Sequence, residues 1–419
     1  MNNSLASTQL ITAADGTPLK KKLAQAMFLS RVRAFSLVLP LLGFVLVSFI
    51  IPILALMWQG IYNDTFAKFT PNLTQQLNDW DGVSKPTEAM FEALVVDIRT
   101  AKKDKTIGRI ATRVNQELPG TRSLFTSSAR KVQKLKPPYA VSMVQVNKKW
   151  GELKVWQAMK LTSQSLTPGF YATALDGKYT VDQGFVSQVE NRQIYVKLFW
   201  RTLLISGSVM LLCLLLGYPV AYLLATLPLR QSNLLMIMVL LPFWTSLLVR
   251  TTAWIALLQS QGVINDILVW VGVAGDDARL SLIYNMTGTI IAMTHILLPF
   301  MILPLYSVMK TIPPSYMRAA RSLGATPALA FVRIYMPQTI PGIGAGGLLV
   351  FILAIGYYIT PALVGGQDGQ LISNMIAYHM QKSLNWSLAA ALGGILLGGV
   401  LVLYWAYDRI IGIDNMKLG

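Results

Sequence analysis

Six stretches of this chain are apolar over the length that a helix needs to cross a membrane. A helix spanning the hydrocarbon core takes about 20 residues, longer than most elements of a soluble core. Only 13% of the residues are charged, about half the share that is usual in soluble domains. The sequence therefore predicts an all-α polytopic membrane protein with six transmembrane helices, at residues 35–58, 199–227, 233–258, 283–309, 341–363 and 387–411.

A secretory signal peptide is the alternative explanation of the first apolar stretch. The segment before this stretch, residues 1–34, is too long and polar for a signal peptide, and no small-residue cleavage site follows the stretch. We therefore predict a first transmembrane helix at 35–58, preceded by a cytoplasmic N-terminal segment.

The positive charges predict which connections face the cytoplasm. Basic residues flanking membrane helices stay on the cytoplasmic side. Residues 1–34 contain one acid and a group of basic residues, and residues 310–340 contain four basic residues and no acid. We therefore expect both termini, the 412–419 tail and the 310–340 loop in the cytoplasm of a bacterium, with the chain in its inner membrane. The net charge of +17 is then explained by the orientation of the chain in the membrane and by attraction to anionic lipid headgroups, and not by binding to nucleic acid.

Residues 59–198 interrupt this pattern with twenty basic and twelve acidic residues and no membrane-length apolar run. Because loops longer than about 60 residues escape the positive-inside rule, their excess positive charge permits an extracytoplasmic location. Helical patterns at 86–105, 121–135 and 143–162 predict a mainly helical insert domain, the first helix having Pro86 in its first turn. That helix places its apolar residues on one face: Met90, Phe91, Leu94, Val95 and Ile98.

The 310–340 loop, KTIPPSYMRAARSLGATPALAFVRIYMPQTI, is more structured than a plain cytoplasmic turn. Pro313 and Pro314 open a helical run that Gly324 breaks. A second helix follows, with Thr326 as its cap and Pro327 in its first turn. We predict a helix–glycine–helix elbow, which a docked partner can use as a lever on both flanking spans.

The elbow resembles the signature EAA-x3-G-x9-I-x-L-P of the permeases of binding-protein-dependent (type I) ABC importers. The 199–411 core, predicted to hold five helices, is similar to PotB-type spermidine/putrescine permeases in LGYPVAYLLATLP, LPFWTSLLVR, HILLPFMILPLYSVM and GYYITPALVGG. Arg318 replaces the Glu of the signature and Met336 its Leu, so a salt bridge from that Glu is not expected here. The resemblance implies an ATPase-coupling loop formed by Arg318, Ala319, Ala320, Gly324, Ala325, Ile334 and Pro337.

The resemblance also implies a set of partners. These are two cytoplasmic ATPase subunits carrying ATP and Mg, a second related permease in a heterodimer, and a periplasmic solute-binding protein. The chain has no G-x-x-x-x-G-K-[ST] pattern, so we expect it not to be an enzyme and ATP to be hydrolysed on the partner subunits. We expect no cofactor, metal or catalytic residue in this chain, since His295, His379 and Cys213 have no metal-ligand spacing.

Polar and aromatic residues in the third, fourth and fifth spans are candidates for the substrate pathway. Arg250 either attracts a substrate carboxylate or snorkels to the interface. His295 either bonds a carbonyl freed at Pro299 or takes part in gating. The aromatic rings either attract a cationic amine or form an interfacial belt. The candidate set is Trp244, Thr245, Arg250, Thr251, Trp254, His295, Tyr357, Tyr358 and Thr360.

These residues favour a polyamine or a related amine or amino-acid-derived solute, moved by alternating access. Arg250 without a carboxylate partner suits an amino-carboxylate at least as well as a polycation. An ion-gradient-driven transporter is an alternative, but it needs buried acidic residues and none lies well inside the spans. A membrane-anchored sensor working through residues 59–198 would leave six spans and an elbow unexplained. The insert itself is expected to contact the binding protein or the partner permease.

Overall fold

The computed structural model describes residues 19–181 and 183–411, with side chains from Met27 to Arg409 except Asp182. The predicted 412–419 tail, and residues 1–18 of the predicted N-terminal segment, lie outside the described residues. The described residues up to Trp58 belong to one compact unit, and those from Gln59 onward to a second.

The first unit is a long apolar helix. The helix consists of α1 (Leu19–Val45), a π-helical turn (Leu46–Ile50) and α2 (Ile51–Gln59), of which only the last residue belongs to the second unit. Residues Met27–Gln59 have a mean hydropathy of 2.8 over their most apolar window, and none of that window is buried within the chain. Leu37 is 82% exposed, for example. An apolar helix with every side exposed is suited to a lipid environment.

The insert is a bundle of short helices followed by a two-stranded antiparallel hairpin. Its helices are α3 (Thr65–Phe69), α4 (Pro71–Asp79), α5 (Glu88–Lys103), α6 (Ile107–Glu117), α7 (Arg122–Lys131), α8 (Tyr139–Val146), α9 (Leu153–Ser163) and α10 (Gly169–Ala174). Short 3₁₀ turns occupy Val132–Lys134, Lys148–Gly151 and Glu190–Arg192. In the hairpin, β1 (Gly177–Thr180) pairs with β2 (Gly184–Ser187), with Gly177 opposite Ser187.

The helix patterns of the insert were predicted with two errors. The predicted apolar face of α5 is buried, as expected. However, α5 begins at Glu88, so Pro86 precedes the helix instead of occupying its first turn. The predicted helix at 143–162 is two helices, because Asn147 adopts an extended conformation and its side chain accepts a hydrogen bond from the Lys149 amide at 3.0 Å.

Buried aromatic residues form the core of the insert. Trp150 packs edge-on against Phe125 with ring centroids 5.1 Å apart, and Trp156 packs edge-on against Phe91 at 4.6 Å. Both indole N–H groups are satisfied, one by Ser128 Oγ at 2.9 Å and the other by the Trp150 carbonyl at 2.8 Å. Large rings with satisfied polar atoms give a small domain a stable, well-defined core.

The membrane core contains both straight and bent spans. Its helices are α11 (Tyr195–Thr226), α12 (Leu229–Leu240), α13 (Leu247–Leu258), α14 (Val263–Trp270), α15 (Met286–Thr311), α16 (Pro314–Ser322), α17 (Pro327–Ala330), α18 (Met336–Gln338), α19 (Ile340–Gly356), α20 (Ile359–Val364), α21 (Ile372–Gln381) and α22 (Trp386–Ile411). Among the described residues, four helices are long and apolar enough to cross a membrane, or up to six if each of two bent pairs is one span.

The third and fifth predicted spans are interrupted. The stretch 233–258 bends by 98° between Trp244 and Leu247, after a 3₁₀ turn that contains Pro242. The stretch 341–363 stops being helical at Tyr357 and Tyr358 and resumes in α20. Apolar length alone predicts a span but does not reveal where its helix breaks.

Glycines allow the central helices to approach closely. A Cβ on Gly346 of α19 would lie 2.9 Å from Met301 Sδ and 3.1 Å from the Met301 carbonyl of α15. A Cβ on Gly217 of α11 would lie 3.2 Å from both Met301 and Ile302. Small residues at such crossings are the usual device for packing membrane helices.

Two groups of hydrogen bonds define the base of the insert, and the second of them joins it to α11. Residues 61–63 and 165–167 form its neck, where the Asn63 amide donates to the Ser165 carbonyl and the Thr167 amide to the Ile61 carbonyl, both at 2.8 Å. Beyond the neck, the Asp176 carboxylate accepts hydrogen bonds from three backbone amides at the start of α11, of Ile194, Tyr195 and Val196, at 2.8–3.0 Å. Asp176 thereby caps the α11 N-terminus.

Candidate functional site

The first half of the elbow ends in a glycine-dependent helix cap. Helix α16 carries Arg318, Ala319 and Ala320. At its end the Gly324 amide donates to the Arg321 carbonyl at 3.0 Å, and the Ala325 amide to the Ala320 carbonyl at 3.1 Å. This bond pair is a Schellman motif, which requires a positive φ at the residue after the cap. Gly324 has φ +89°.

The second half begins with a side-chain cap and contains a π-helical turn. Thr326 Oγ1 accepts from the Leu329 amide at 3.3 Å, and Pro327 begins α17, as the sequence predicts. Phe331–Tyr335, which includes Ile334, is π-helical and leads into α18 with Pro337 in its first turn. Proline lacks the N–H that would continue an α-helical ladder, so an irregular turn before it is expected.

The outer surface of the elbow is open and includes a large apolar side chain. None of the α16 residues is buried, and Arg318 and Ala319 are exposed. Leu323, at the tip between α16 and Gly324, is 89% exposed. No atom lies within 4 Å of a Cβ placed on Gly324. The side chain of Leu323 and the backbone turn beside it are therefore accessible to another protein.

The inner surface of the elbow is attached to α11 through aromatic rings. Phe331 and Tyr335 stack with centroids 5.6 Å apart, and Tyr222 of α11 packs edge-on against both at 5.3 Å. Tyr218, one turn earlier, bonds its hydroxyl to Thr339 Oγ1 at 3.1 Å. These residues were missed by the sequence reasoning, although Tyr218 and Tyr222 lie in the LGYPVAYLLATLP stretch that carries the family resemblance.

The break in the fifth span is stabilised by a neighbouring helix. Ser373 Oγ of α21 donates to the Tyr357 carbonyl at 2.6 Å, and Asn374 Nδ2 donates to the Tyr358 carbonyl at 2.7 Å. Non-helical backbone within a membrane protein is tolerated where such groups satisfy it. The break therefore has a fixed geometry, with two tyrosines at its centre.

Six of the predicted pathway residues are brought together around this break. Thr251 Oγ1 of α13 and Thr360 Oγ1 of α20 are 3.3 Å apart and buried. Trp254 Nε1 donates to His295 Nδ1 at 3.1 Å. Arg250 is half-buried and lies near His295 and Tyr357. Its Nε is buried with no hydrogen-bond partner among the described residues. The cluster thus combines one cation with aromatic rings and hydroxyls.

The other three predicted pathway residues lie at the bend of the third span and at the break itself. Trp244 is 74% exposed at the bend of the third span, and the Thr245 hydroxyl donates to the Pro242 carbonyl at 2.9 Å, within the same bend. Tyr358 is exposed and contributes its carbonyl to the bond with Asn374. The expectation that His295 bonds a carbonyl near Pro299 is wrong, because its Nδ1 accepts from the Trp254 indole instead.

Comparison with known proteins places these features in context. Residues 202–411 match the protein family described as "Binding-protein-dependent transport system inner membrane component". The chain is 36% identical over 241 residues to the "Spermidine/putrescine transport system permease protein PotB" of Escherichia coli (strain K12), an alignment covering 55% of this chain and 87% of the relative. It is 33% identical over 229 residues to the "Inner membrane ABC transporter permease protein YdcU" of the same organism, covering 51% of this chain and 70% of the relative.

Among solved structures, the chain resembles that of a bacterial ABC transporter involved in the import of the acidic polysaccharide alginate. The TM-score is 0.42 and the sequence identity is 19%, over 59% of this chain and 88% of the other.

Proposed function

This chain belongs to the family of binding-protein-dependent transport system inner membrane components, and on that premise we propose that it is the permease of an ATP-driven importer of polyamines or related amine or amino-acid-derived solutes. It is a multi-pass protein of the inner membrane. The observation that carries the proposal is the elbow, whose Ala-Ala, Gly and Ile-x-x-Pro positions form an exposed, glycine-capped helical turn between two packed spans.

The proposed partners follow from the exposed elbow. Two cytoplasmic ATPase subunits bind ATP and Mg, and one of them receives α16 and Leu323 of this chain. A second, related permease supplies the other elbow of a heterodimer, and a periplasmic solute-binding protein delivers the solute. This arrangement places both termini and the elbow in the cytoplasm and the insert outside. The positive charge of the elbow, with Lys310, Arg318, Arg321 and Arg333, supports that orientation.

The proposed mechanism is alternating access without covalent chemistry in this chain. ATP binding closes the ATPases and draws the two elbows together, which opens the cavity toward the binding protein, and hydrolysis reverses the movement. Within this chain the movement passes from Phe331 and Tyr335 to Tyr222 of α11, because these rings are in direct contact. It also reaches α15 and α19, the spans that the elbow connects.

The pathway cluster supports an amine-bearing solute. The rings of Trp254 and Tyr357 can attract an ammonium group through their π faces, while the buried hydroxyls of Thr251 and Thr360 bond to each other and join α13 to α20. The curated relative is a spermidine/putrescine permease. Arg250, with its buried Nε unpartnered, adds a donor for a carboxylate. The cluster therefore supports both a polyamine and an amino-carboxylate.

The decisive experiment measures ATP hydrolysis by the reconstituted complex, with the binding protein loaded in turn with putrescine, spermidine and amino-carboxylates. One loaded form should stimulate hydrolysis, and Gly324→Asp should abolish that stimulation. Gly120→Asp is the matched control, because Gly120 has a similar φ of +92° but lies in the insert. Copurification without any ATPase, or full stimulation in Gly324→Asp, would favour a gradient-driven transporter.

For the insert, we propose contact with the binding protein or with the partner permease. The neck allows most of the insert to be removed, because the Asn63 amide already donates a hydrogen bond to the Ser165 carbonyl at 2.8 Å. Residues 65–163 can therefore be replaced by a short Gly/Ser linker that keeps α10, the hairpin and the Asp176 cap. Weaker binding-protein affinity or loss of the partner permease is expected. Unchanged assembly and transport would refute this role.

A further inference from the structure

Arg113 of α6 is a buried arginine whose charge is not neutralised by a bonded carboxylate. The residue is 3% exposed, and its Nε and one of its Nη atoms have no hydrogen-bond partner among the residues that the structure describes. Its guanidinium lies over the Phe170 ring, 4.8 Å from the centroid. A ring face attracts a cation, but it leaves the N–H groups of the guanidinium without acceptors.

Burial of an unpaired guanidinium is costly, so a compensating anion is expected. Burial lowers the pKa of Arg113 to about 10, and the charge of Glu117, one helical turn further on, opposes that shift. Arg113 therefore stays charged at neutral pH. The fold provides a desolvated cation whose hydrogen-bonding capacity is not used within the described chain.

Two open clefts meet at Arg113. One has a volume of about 730 Å³ and the other about 480 Å³, the size range of small-molecule sites. Basic residues outnumber acidic ones in each: Lys68, Arg109 and Arg113 against Asp64 in the first, and Arg113, Lys178 and Arg192 against Glu117 in the second. Both clefts favour an anion over a cation.

A second feature of the clefts also favours an anion. The start of α22 lines them, with Asn385 in both, Trp386 and Ser387 in the first and Leu388 in the second. Asn385 Oδ1 accepts from the Leu388 amide at 3.2 Å. The N-terminus of a long helix carries a partial positive charge and free N–H groups, which bind anions. The buried guanidinium and the helix N-terminus thus converge on the same space.

We propose that Arg113 and the first turn of α22 bind the carboxylate of a small organic acid or amino acid that enters these clefts. A guanidinium donates charge-assisted hydrogen bonds to a carboxylate, which are stronger than those between neutral groups. The remaining polar lining, including Gln116 and Asn385, bonds to the rest of the ligand. The site lies in the insert and at the start of the last span, apart from the pathway cluster.

The test measures binding to the full chain in lipid nanodiscs at constant ionic strength, by calorimetry and by the melting temperature (Tm). Succinate is the probe, and uncharged succinamide is the matched control ligand. We expect succinate, but not succinamide, to bind and to raise Tm. Arg113→Met should abolish both effects, and a cooperative melting transition without ligand shows that the variant is folded.

Two further variants make the result decisive. Arg99→Met is the matched control, since Arg99 donates to the Val132 and Leu135 carbonyls within the insert, and it should bind succinate like the wild type. Asn385→Asp keeps the capping acceptor of α22 but adds a carboxylate to the clefts, so it should weaken succinate binding even if Arg113→Met does not fold. Equal binding of succinate and succinamide, or unchanged binding in Asn385→Asp, would overturn the proposal. Because no ATPase or transport is measured, these results are independent of the importer assay.

Discussion

Replacing Leu323 by alanine tests whether the tip of the elbow docks on another protein. Because the side chain is 89% exposed, it contributes little to folding, but nearly all of it is available for burial by a partner. The change removes three carbons, each worth about 0.8 kcal/mol on complete burial, so docking should lose about 2 kcal/mol. That loss corresponds to a dissociation constant raised roughly thirtyfold.

The assay immobilises the wild-type or Leu323→Ala permease in nanodiscs and measures its affinity for the ATPase subunits that copurify with the wild type. Tm should remain unchanged, since substitutions at exposed positions usually alter stability by less than about 0.5 kcal/mol. Leu175→Ala is the matched control, because Leu175 is 52% exposed but lies in the insert. If Leu323→Ala binds the ATPase as tightly as the wild type and melts at the same temperature, the tip does not enter the partner's groove.

Two further predictions concern stability. Asp176→Asn should lower the free energy of unfolding of the purified chain by about 1–3 kcal/mol, because one amide oxygen cannot replace a carboxylate that accepts three backbone N–H groups. Asp81→Asn, in an exposed turn, is the control and should change Tm little. An equal loss in both variants would contradict the capping argument. Gly346→Ala should lower Tm despite the better helix propensity of alanine, since its Cβ would lie 2.9 Å from Met301 Sδ. Gly393→Ala, where a Cβ meets no atom within 4 Å, should not lower Tm, and a similar loss there would show that close packing is not the cause.

Features with a local cause were predictable from the sequence. The elbow is the clearest case, because Gly324, Thr326 and Pro327 each determine the backbone around them through φ, a side-chain cap and a fixed ring. The α5 core face is another, since helical spacing alone places Phe91 and Ile98 on one side. The family signature then gave these local signals a functional meaning.

Features that depend on distant residues were not predictable in the same way. The break at Tyr357 follows a continuous apolar run, and it is stabilised by Ser373 and Asn374, which lie beyond an intervening loop. The hydrogen bond from Trp254 to His295 joins two spans, and it is found where a bond from His295 to a carbonyl of its own span was expected. Arg113 looks like any charged residue of an amphipathic helix, and only the packed structure shows it buried.

The hydrogen bonds at the broken span also restrict how the core can move. Straightening the chain at Tyr357 and Tyr358 would leave the buried Ser373 and Asn374 donors without their acceptors, at a cost of about 1–3 kcal/mol for each unsatisfied group. We therefore expect the break to stay non-helical throughout the transport cycle, instead of becoming helical when a substrate binds. Whatever movement carries solute through the core, α20 and α21 are expected to travel with the end of α19 as one rigid piece, and the flexing must occur elsewhere.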